Sequence, residues 1–304
     1  MNKDQEDFET SCGFISILGL PNAGKSTLLN ALVGSKVSIV SRKVQTTRSR
    51  VLGILIHDKA QIVLVDTPGV FQPKKTLEKA MVAAALDSIA EADVVMHLVD
   101  ASMPKTVGKN QFLSEKLPND KKCILLLNKI DQVKRDDLLA LTAQMHEQFD
   151  YEQTFMISGL KQDGLGDLLD YLADNLPEGP WLFPEDQMTD MPMRMLAAEM
   201  TREKIFERLH QELPYEIFVE TQNWENFDNG SVKIDQVIYV QRDSQKGIVL
   251  GKGGRTIKEI GQSVRKDLEE MLECRVHVKI FVKVQPNWAE RSENYRLMGL
   301  DFPV

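Results

Sequence analysis

From Gly13 onward, short apolar runs alternate with longer segments of mixed polarity. Phe14–Leu18 reads as a buried strand and Ser26–Val33 as a helix. Arg50–His57 and Gln61–Val65 read as two strands joined by a tight turn at Asp58–Lys59. Val94–Val99, Cys123–Leu127 and Thr154–Ile157 are further short apolar runs. Between them Leu77–Ala90, Asp136–Phe149 and Leu165–Leu176 carry helical period. Strands alternating with helices of this length predict an α/β domain, a mostly parallel sheet covered on both faces.

The alternation stops near Leu176. Pro177, Pro180, Pro184 and Pro192 follow with few regular signals between them, the composition of a semi-rigid linker. Beyond it Met193–Gln211 has helical spacing, Tyr215–Thr221 and Val232–Arg242 read as strands, Thr256–Leu272 as a helix and Arg275–Val284 as a last strand. The expected organisation is a tail over 1–12, an α/β domain over 13–178, a linker over 179–194, and an α+β domain with a C-terminal tail over 195–304. A chain of 304 residues exceeds the usual size of one hydrophobic core, which fits two domains.

Composition narrows the class only a little. Hydrophobic residues at 42 % and charged residues at 27 % are ordinary for a globular protein. No apolar run approaches the ~20 residues needed to span a bilayer, and the polar start lacks the apolar core of a signal peptide. Cys12, Cys123 and Cys274 are far apart and odd in number, as expected of reduced thiols in the cytoplasm. The net charge of −8 argues against a general nucleic-acid binder, though not against a local basic patch.

The chemistry begins at Gly19-Leu20-Pro21-Asn22-Ala23-Gly24-Lys25-Ser26, a G-x-x-x-x-G-K-[ST] loop that follows a strand and opens a helix with Thr27. Its glycines let the backbone wrap phosphate oxygens, its N–H groups form an anion nest, and the helix dipole adds positive potential. Lys25 is expected to reach the β/γ-phosphates and the Ser26 hydroxyl to bind Mg²⁺. A chance glycine-rich turn is the competing reading, and the strand–helix context weighs against it.

Later elements select the nucleotide. Asp66-Thr67-Pro68-Gly69 ends a strand, with Asp66 expected to hold Mg²⁺ and the Gly69 N–H to sense the γ-phosphate. Asn128-Lys129-Ile130-Asp131 ends another and matches the N-K-x-D element of GTPases. Its carboxylate accepts from guanine N1–H and N2–H₂, a donor pair that adenine lacks. Ser158-Gly159-Leu160 stands where GTPases place a base-binding S-A-x loop, with glycine for the usual alanine. Each tetrapeptide alone could be an ordinary turn; their order along the carboxyl ends of successive strands makes the set specific.

Ser41–Ser49 lies where the first switch segment belongs. Thr47 is expected to complete the Mg²⁺ and γ-phosphate shell, with Thr46 the second choice; a plain basic surface loop is the alternative. The glutamine that orients water in many GTPases would directly follow Gly69, and Val70 stands there instead. Slow intrinsic turnover follows, and the alternative is a GTP-dependent binding protein with negligible hydrolysis.

In the second domain Ile248–Ile260 contains G-x-x-G at Gly251-Lys252-Gly253-Gly254, with Arg255 and Lys258 just beyond. From Lys246 to Lys266 only Glu259 opposes the basic residues. With the order helix–strand–strand–helix–helix–strand, this is the type II KH pattern, whose loop clamps a single-stranded nucleic-acid backbone.

Together these motifs resemble the TrmE–Era–Der group of translation-factor-like GTPases. The P-N-x-G-K-S loop at Pro21–Ser26 and the K-x-Q-T-T-R run at Lys43–Arg48 are similar to its Era family in particular. The resemblance covers essentially the whole chain and implies binding to the 3′ end of small-subunit ribosomal RNA, a role in maturing that subunit, and peripheral association with the cytoplasmic face of the membrane. In this group the asparagine at the Asn22 position helps hold a monovalent cation, which implies stimulation by K⁺. A monomer is the default expectation.

Overall fold

The computed structural model describes residues 9–41, 43–103, 105–209 and 213–303. Residues 1–8 of the tail, Arg42 of the switch segment and positions 210–212 at the end of the Met193–Gln211 helical run lie outside the described residues. The chain forms two compact units. The first comprises residues up to Ser38, Thr47–Pro73 and Met81–Asp190; the second comprises Ile39–Thr46, Lys74–Ala80 and the residues from Met191 on.

The first unit runs β1 (Ser11–Gly19), α1 (Lys25–Val33), β2 (Val51–His57), β3 (Ala60–Asp66), α2 (Thr76–Glu91, its first turns in the second unit), β4 (Val94–Asp100), α3 (Thr106–Ser114), β5 (Lys122–Asn128), α4 (Arg135–His146), β6 (Gln153–Ile157) and α5 (Leu165–Asp174). Its six-stranded sheet has the order β2-β3-β1-β4-β5-β6, parallel except for β2, which pairs antiparallel with β3. The strands are nearly continuous apolar runs because both faces are covered. On one face Val95, Val99, Leu125 and Leu127 pack with Val82 and Ala85 of α2, Leu113 of α3 and Leu138, Leu141 and Met145 of α4. Helices α1 and α5 pack on β2 and β3.

Within this core His97 is fully buried. Its Nδ1 lies 2.7 Å from the Tyr151 hydroxyl and its Nε2 lies 3.1 Å from Asn110 Oδ1. Because Asn110 Nδ2 donates to the Thr106 carbonyl, Oδ1 faces His97 and accepts its Nε2–H, so Nδ1 accepts from tyrosine. The imidazole is a satisfied neutral core group.

Residues 179–190 cover one face of the β1–β3 part of the sheet at Phe183 and reach the β2 edge at Met188. The buried Gln61 side chain accepts from the N–H groups of Leu182 and Phe183 and donates to the Phe183 carbonyl, and Ile54 N–H donates to Met188 O at 2.9 Å.

The second unit contains α6 (Met193–Arg208), β7 (Phe218–Asn226), β8 (Val232–Val240), α7 (Asp243–Leu250), α8 (Arg255–Leu272), β9 (Val276–Val284) and α9 (Ser292–Leu297). Its three strands order β7-β8-β9, with β7 antiparallel and β9 parallel to β8. Helix α6 packs on α8 and β7, and α7 and α8 pack on β9. Ile260, Val264 and Leu268, four residues apart on α8, are fully buried, which is the stripe that fixes this helix to the sheet. Residues 39–46 dock on α6: Val40 N–H donates to Glu203 Oε1 at 2.9 Å, and Lys43 donates to the carbonyls of Phe206 and Leu209 at the helix's C-terminal end.

Candidate functional site

Strand β1 ends at Gly19 and delivers the chain into the loop that opens α1. Gly24 has φ +103°, and a Cβ there would lie 2.4 Å from the Asn128 amide nitrogen, so no other residue fits. No side chain caps the N-terminus of α1, which leaves its first N–H groups for an anion. Lys25, 6 % exposed, turns its Nζ to the carbonyls of Gly19 and Leu20 at 3.1 Å. Burial lowers its pKa to about 8 against the opposing charge of Asp66.

Asp66, at the end of β3, is fully buried. Its Oδ2 accepts from Ser26 Oγ at 2.7 Å and from Ser38 Oγ at 3.0 Å, with Thr47 Oγ1 at 3.4 Å; Ser26 and Thr47 hydroxyls are 2.8 Å apart. Its Oδ1 is buried without a hydrogen-bond partner. Burial pushes the carboxyl above its ordinary range, opposed by Lys25 and the hydroxyls. An unpaired buried carboxylate oxygen costs ~1–3 kcal/mol or more, and hard oxygen donors are the ligand set of Mg²⁺. The residues present fit that ion. Thr46 is elsewhere: its hydroxyl donates to the Lys43 carbonyl at 2.7 Å.

Beside Asp66, Thr67 is fully buried and donates from Oγ1 to the Ile17 carbonyl at 2.8 Å, while the Val70 N–H donates to Gly19 O at 3.1 Å. The strand end carrying Pro68 and Gly69 is thereby held against the phosphate loop. The Val70 side chain is fully buried in the core formed with Leu18, Val82 and Ala85.

The base-side loops are tied together by Asn128. Its Nδ2 donates to Ala23 O at 2.8 Å and its Oδ1 accepts from Gly159 N–H at 3.0 Å. Lys129, at φ +67°, crosses to Asn22 O at 2.8 Å and pairs with Asp100 at 2.5 Å. Asp131 accepts from the Ser158 hydroxyl at 2.6 Å, which holds its carboxyl below the ordinary range. Ile130 is partly buried against the core, and Leu160 is 72 % exposed beside Gly159.

In the second unit Gly251 has φ +71°, and a Cβ there would sit 2.1 Å from Thr256 Oγ1. The turn through Gly253 and Gly254 leaves open space around it, and Lys252, Arg255 and Lys258 are exposed. The first turn of α8 carries no acidic residue, so helix dipole and side chains both favour an anion. Arg255 also pairs with Glu259 at 2.9 Å.

Several residues that sequence motifs do not mark also belong to these surfaces. Ser38 and Asp100 join the nucleotide side through contacts made only in the folded chain. Ile248 on α7 and Phe281 on β9 are large apolar side chains left 56 % and 53 % exposed. Exposed alternation with Lys279 and Lys283 along β9 is the signal that marks Phe281 in the sequence.

The fold and site define a P-loop GTPase domain, a mostly parallel sheet with helices on both faces, followed by an α+β type II KH domain. A family model described as 50S ribosome-binding GTPase matches residues 14–129, and a KH domain model matches residues 212–289. The chain is 55 % identical over 294 residues to GTPase Era of Sinorhizobium medicae, covering 97 % of this chain and 95 % of that one. It is 52 % identical over 309 residues to GTPase Era of Mesorhizobium japonicum, covering both in full. Among solved structures, Era in complex with MgGDPNP and nucleotides 1506–1542 of 16S ribosomal RNA superposes with a TM-score of 0.89 at 40 % identity, over 96 % of this chain and 99 % of that chain. A variant of Aquifex aeolicus Era bound to GDP·AlF4⁻ gives a TM-score of 0.88 at 40 % identity, over 95 % and 99 %. The chain belongs to the GTPase Era family and is a GTP-hydrolysing enzyme.

Proposed function

We propose that this GTPase is a switch that binds GTP and GDP at the carboxyl edge of the six-stranded sheet, and that it binds the 3′ end region of small-subunit ribosomal RNA through its KH loop to assist small-subunit assembly. The observation that carries this reading is the convergence of Ser26 and Thr47 on one oxygen of Asp66 while the other oxygen is buried and unpaired. The related Era structure that holds MgGDPNP and 16S nucleotides supports it.

In this reading the amides of Gly19–Thr27 and the Lys25 ammonium hold the phosphates, and Asp131, framed by Asn128, Ser158 and Gly159, selects guanine. Ser26, Thr47 and Asp66 hold Mg²⁺. When bound, the ion neutralises charge on the β/γ-phosphate oxygens. Lys25 and Thr47 carry catalysis: the ammonium stabilises charge developing on the transferred phosphoryl group, and Thr47 closes the switch segment over it. Val70 cannot orient water, since its side chain is an apolar core residue. Turnover without a partner is therefore slow, and main-chain groups, a cation or a bound partner orient the water.

Asn22 is assigned a monovalent cation that speeds hydrolysis, which requires faster turnover in K⁺ than in Na⁺. Gly251, Lys252, Gly253, Gly254, Arg255 and Lys258 are assigned to the RNA backbone. The functional division is the G domain over 13–178, the linker over 179–194 and the KH domain over 195–304. The protein works as a cytoplasmic monomer, and its three free cysteines suit a reducing compartment. Among the described residues no helix is long and apolar enough to cross a membrane; any contact with the inner face of the membrane is peripheral, and RNA is the better use of the basic loop.

The test is GTP hydrolysis by the full chain with and without an oligonucleotide of the small-subunit RNA 3′ end, with Lys252→Ala and Arg255→Ala as controls. Stimulation that disappears in both variants supports the coupled switch. Hydrolysis that RNA leaves unchanged removes the coupling or the choice of RNA.

A further inference from the structure

Ser38 belongs to none of the nucleotide-binding motifs, yet it is 3 % exposed and donates to Asp66 Oδ2 at 3.0 Å. Its own placement is set by Asn30 of α1. Asn30 Oδ1 accepts from the N–H groups of Val37 at 3.0 Å and Ser38 at 2.9 Å, and its Nδ2 donates to the Ser38 carbonyl at 2.8 Å. A flipped amide would break all three bonds, so its orientation is determined by its partners. The helix that begins with Lys25 and Ser26 therefore also fixes the residue that braces Asp66.

The other two hydroxyls at Oδ2 differ from Ser38. Ser26 and Thr47 are both assigned to the metal ion, and Thr47 ends a segment whose preceding residues, Ile39–Thr46, belong to the second unit. Thr47 is also the longest contact to Oδ2, at 3.4 Å. Ser38 precedes that segment, and its backbone N–H and carbonyl are clamped to α1 by Asn30. A carboxylate held at one oxygen keeps the other, here the unpaired Oδ1, aimed in one direction.

We propose that Ser38, set by Asn30, is a positioning residue that holds Asp66 for Mg²⁺ in both nucleotide states. This rests on the assignment of Ser26, Thr47 and Asp66 to the ion.

The experiment follows release of fluorescent GDP from the full chain across a Mg²⁺ titration and in EDTA, for the wild type, Ser38→Ala, Ser38→Thr and Asn30→Ala. Ser38→Ala is expected to raise the Mg²⁺ concentration for half-maximal retention by about ten-fold, the scale of one hydrogen bond to a carboxylate. Its release rate in EDTA should stay within about two-fold of wild type, because one neutral hydroxyl off the metal path contributes little there. Ser38→Thr, which keeps the hydroxyl, should restore most of the Mg²⁺ response, and Asn30→Ala should shift it in the same direction as Ser38→Ala. A Ser38→Ala titration that overlays wild type overturns the proposal alone, as does an equal acceleration with and without Mg²⁺. Wild-type release that does not depend on Mg²⁺ overturns the metal assignment itself, and this proposal with it.

Discussion

The Asn128 side chain donates to the Ala23 carbonyl at 2.8 Å across 105 residues of sequence, and the same amide accepts from Gly159 N–H at 3.0 Å. One 3 % exposed side chain thus joins three loops. Asn128→Ala leaves a buried carbonyl and a buried N–H unpaired, at ~1–3 kcal/mol each. GDP affinity should fall by roughly ten- to hundred-fold, and the melting temperature by several degrees. Calorimetric titration and thermal unfolding check both.

Asp131 is steadied by the Ser158 hydroxyl at 2.6 Å, and in the proposed reading its carboxylate accepts from the guanine edge. Asp131→Asn replaces one acceptor with an N–H₂ that faces the guanine donors. GTP affinity should drop by about 10²-fold or more, and xanthosine nucleotides, which present a carbonyl at C2, should bind better than GTP. Competition between the two nucleotides against a fluorescent analogue reads this directly.

Thr46 and Thr47 are neighbours with different partners: Lys43 O for the first, Ser26 and Asp66 for the second. Thr47→Ala should lower the turnover number by ~10-fold or more, the usual scale for a group acting on transition-state charge. Thr46→Ala should leave turnover within about two-fold. Single-turnover hydrolysis of both variants separates them.

His97 is buried and neutral, with its pKa lowered to about 4 by burial. A folded value below the unfolded one, ~6.5, means that the unfolded chain takes up a proton the folded chain refuses. Its contribution is present above the unfolded pKa and is lost as pH falls towards 4, at up to ~1.4 kcal/mol per pH unit. His97→Asn should flatten the difference in urea midpoint between pH 7 and pH 5. Equal slopes for variant and wild type would assign the acid lability elsewhere.

Lys252 and Arg255 are exposed beside a turn that only Gly251 can make. Replacing either with alanine should weaken single-stranded RNA binding and reduce the slope of log affinity against log salt by ~0.7 per charge removed. Gly251→Ala should cost more affinity with no change in slope, because it shifts the loop rather than its charge. Filter binding at several salt concentrations distinguishes the two effects.

Much of the nucleotide site was legible because its chemistry is contiguous. A phosphate loop is a run of backbone amides, so Gly19–Ser26 announces itself in eight letters, and Asn128–Asp131 does so in four. Strands β1, β4 and β5 were equally plain, since a strand buried on both faces must be an apolar run. The α3 helix at Thr106–Ser114 carries no readable period, because its buried positions are Thr106, Asn110, Leu113 and Ser114, and three of those four are polar. The proline-spaced stretch, read as a linker, gives no sign in its own residues that Gln61 holds its backbone on the sheet at Leu182 and Phe183.

By itself, then, the sequence determined the two domain types, the N-K-x-D run at Asn128–Asp131 and the basic G-x-x-G turn, all of which depend on neighbours within a few residues. Only the tertiary structure decided that Thr47 rather than Thr46 meets Asp66, that Val70 faces the core, and that Ser38 reaches the same carboxylate oxygen as Ser26. Those are choices of side-chain direction among residues distant in sequence. They follow from how α1, β3 and the loop between Ser38 and Thr47 pack, and packing is a property of the whole folded chain.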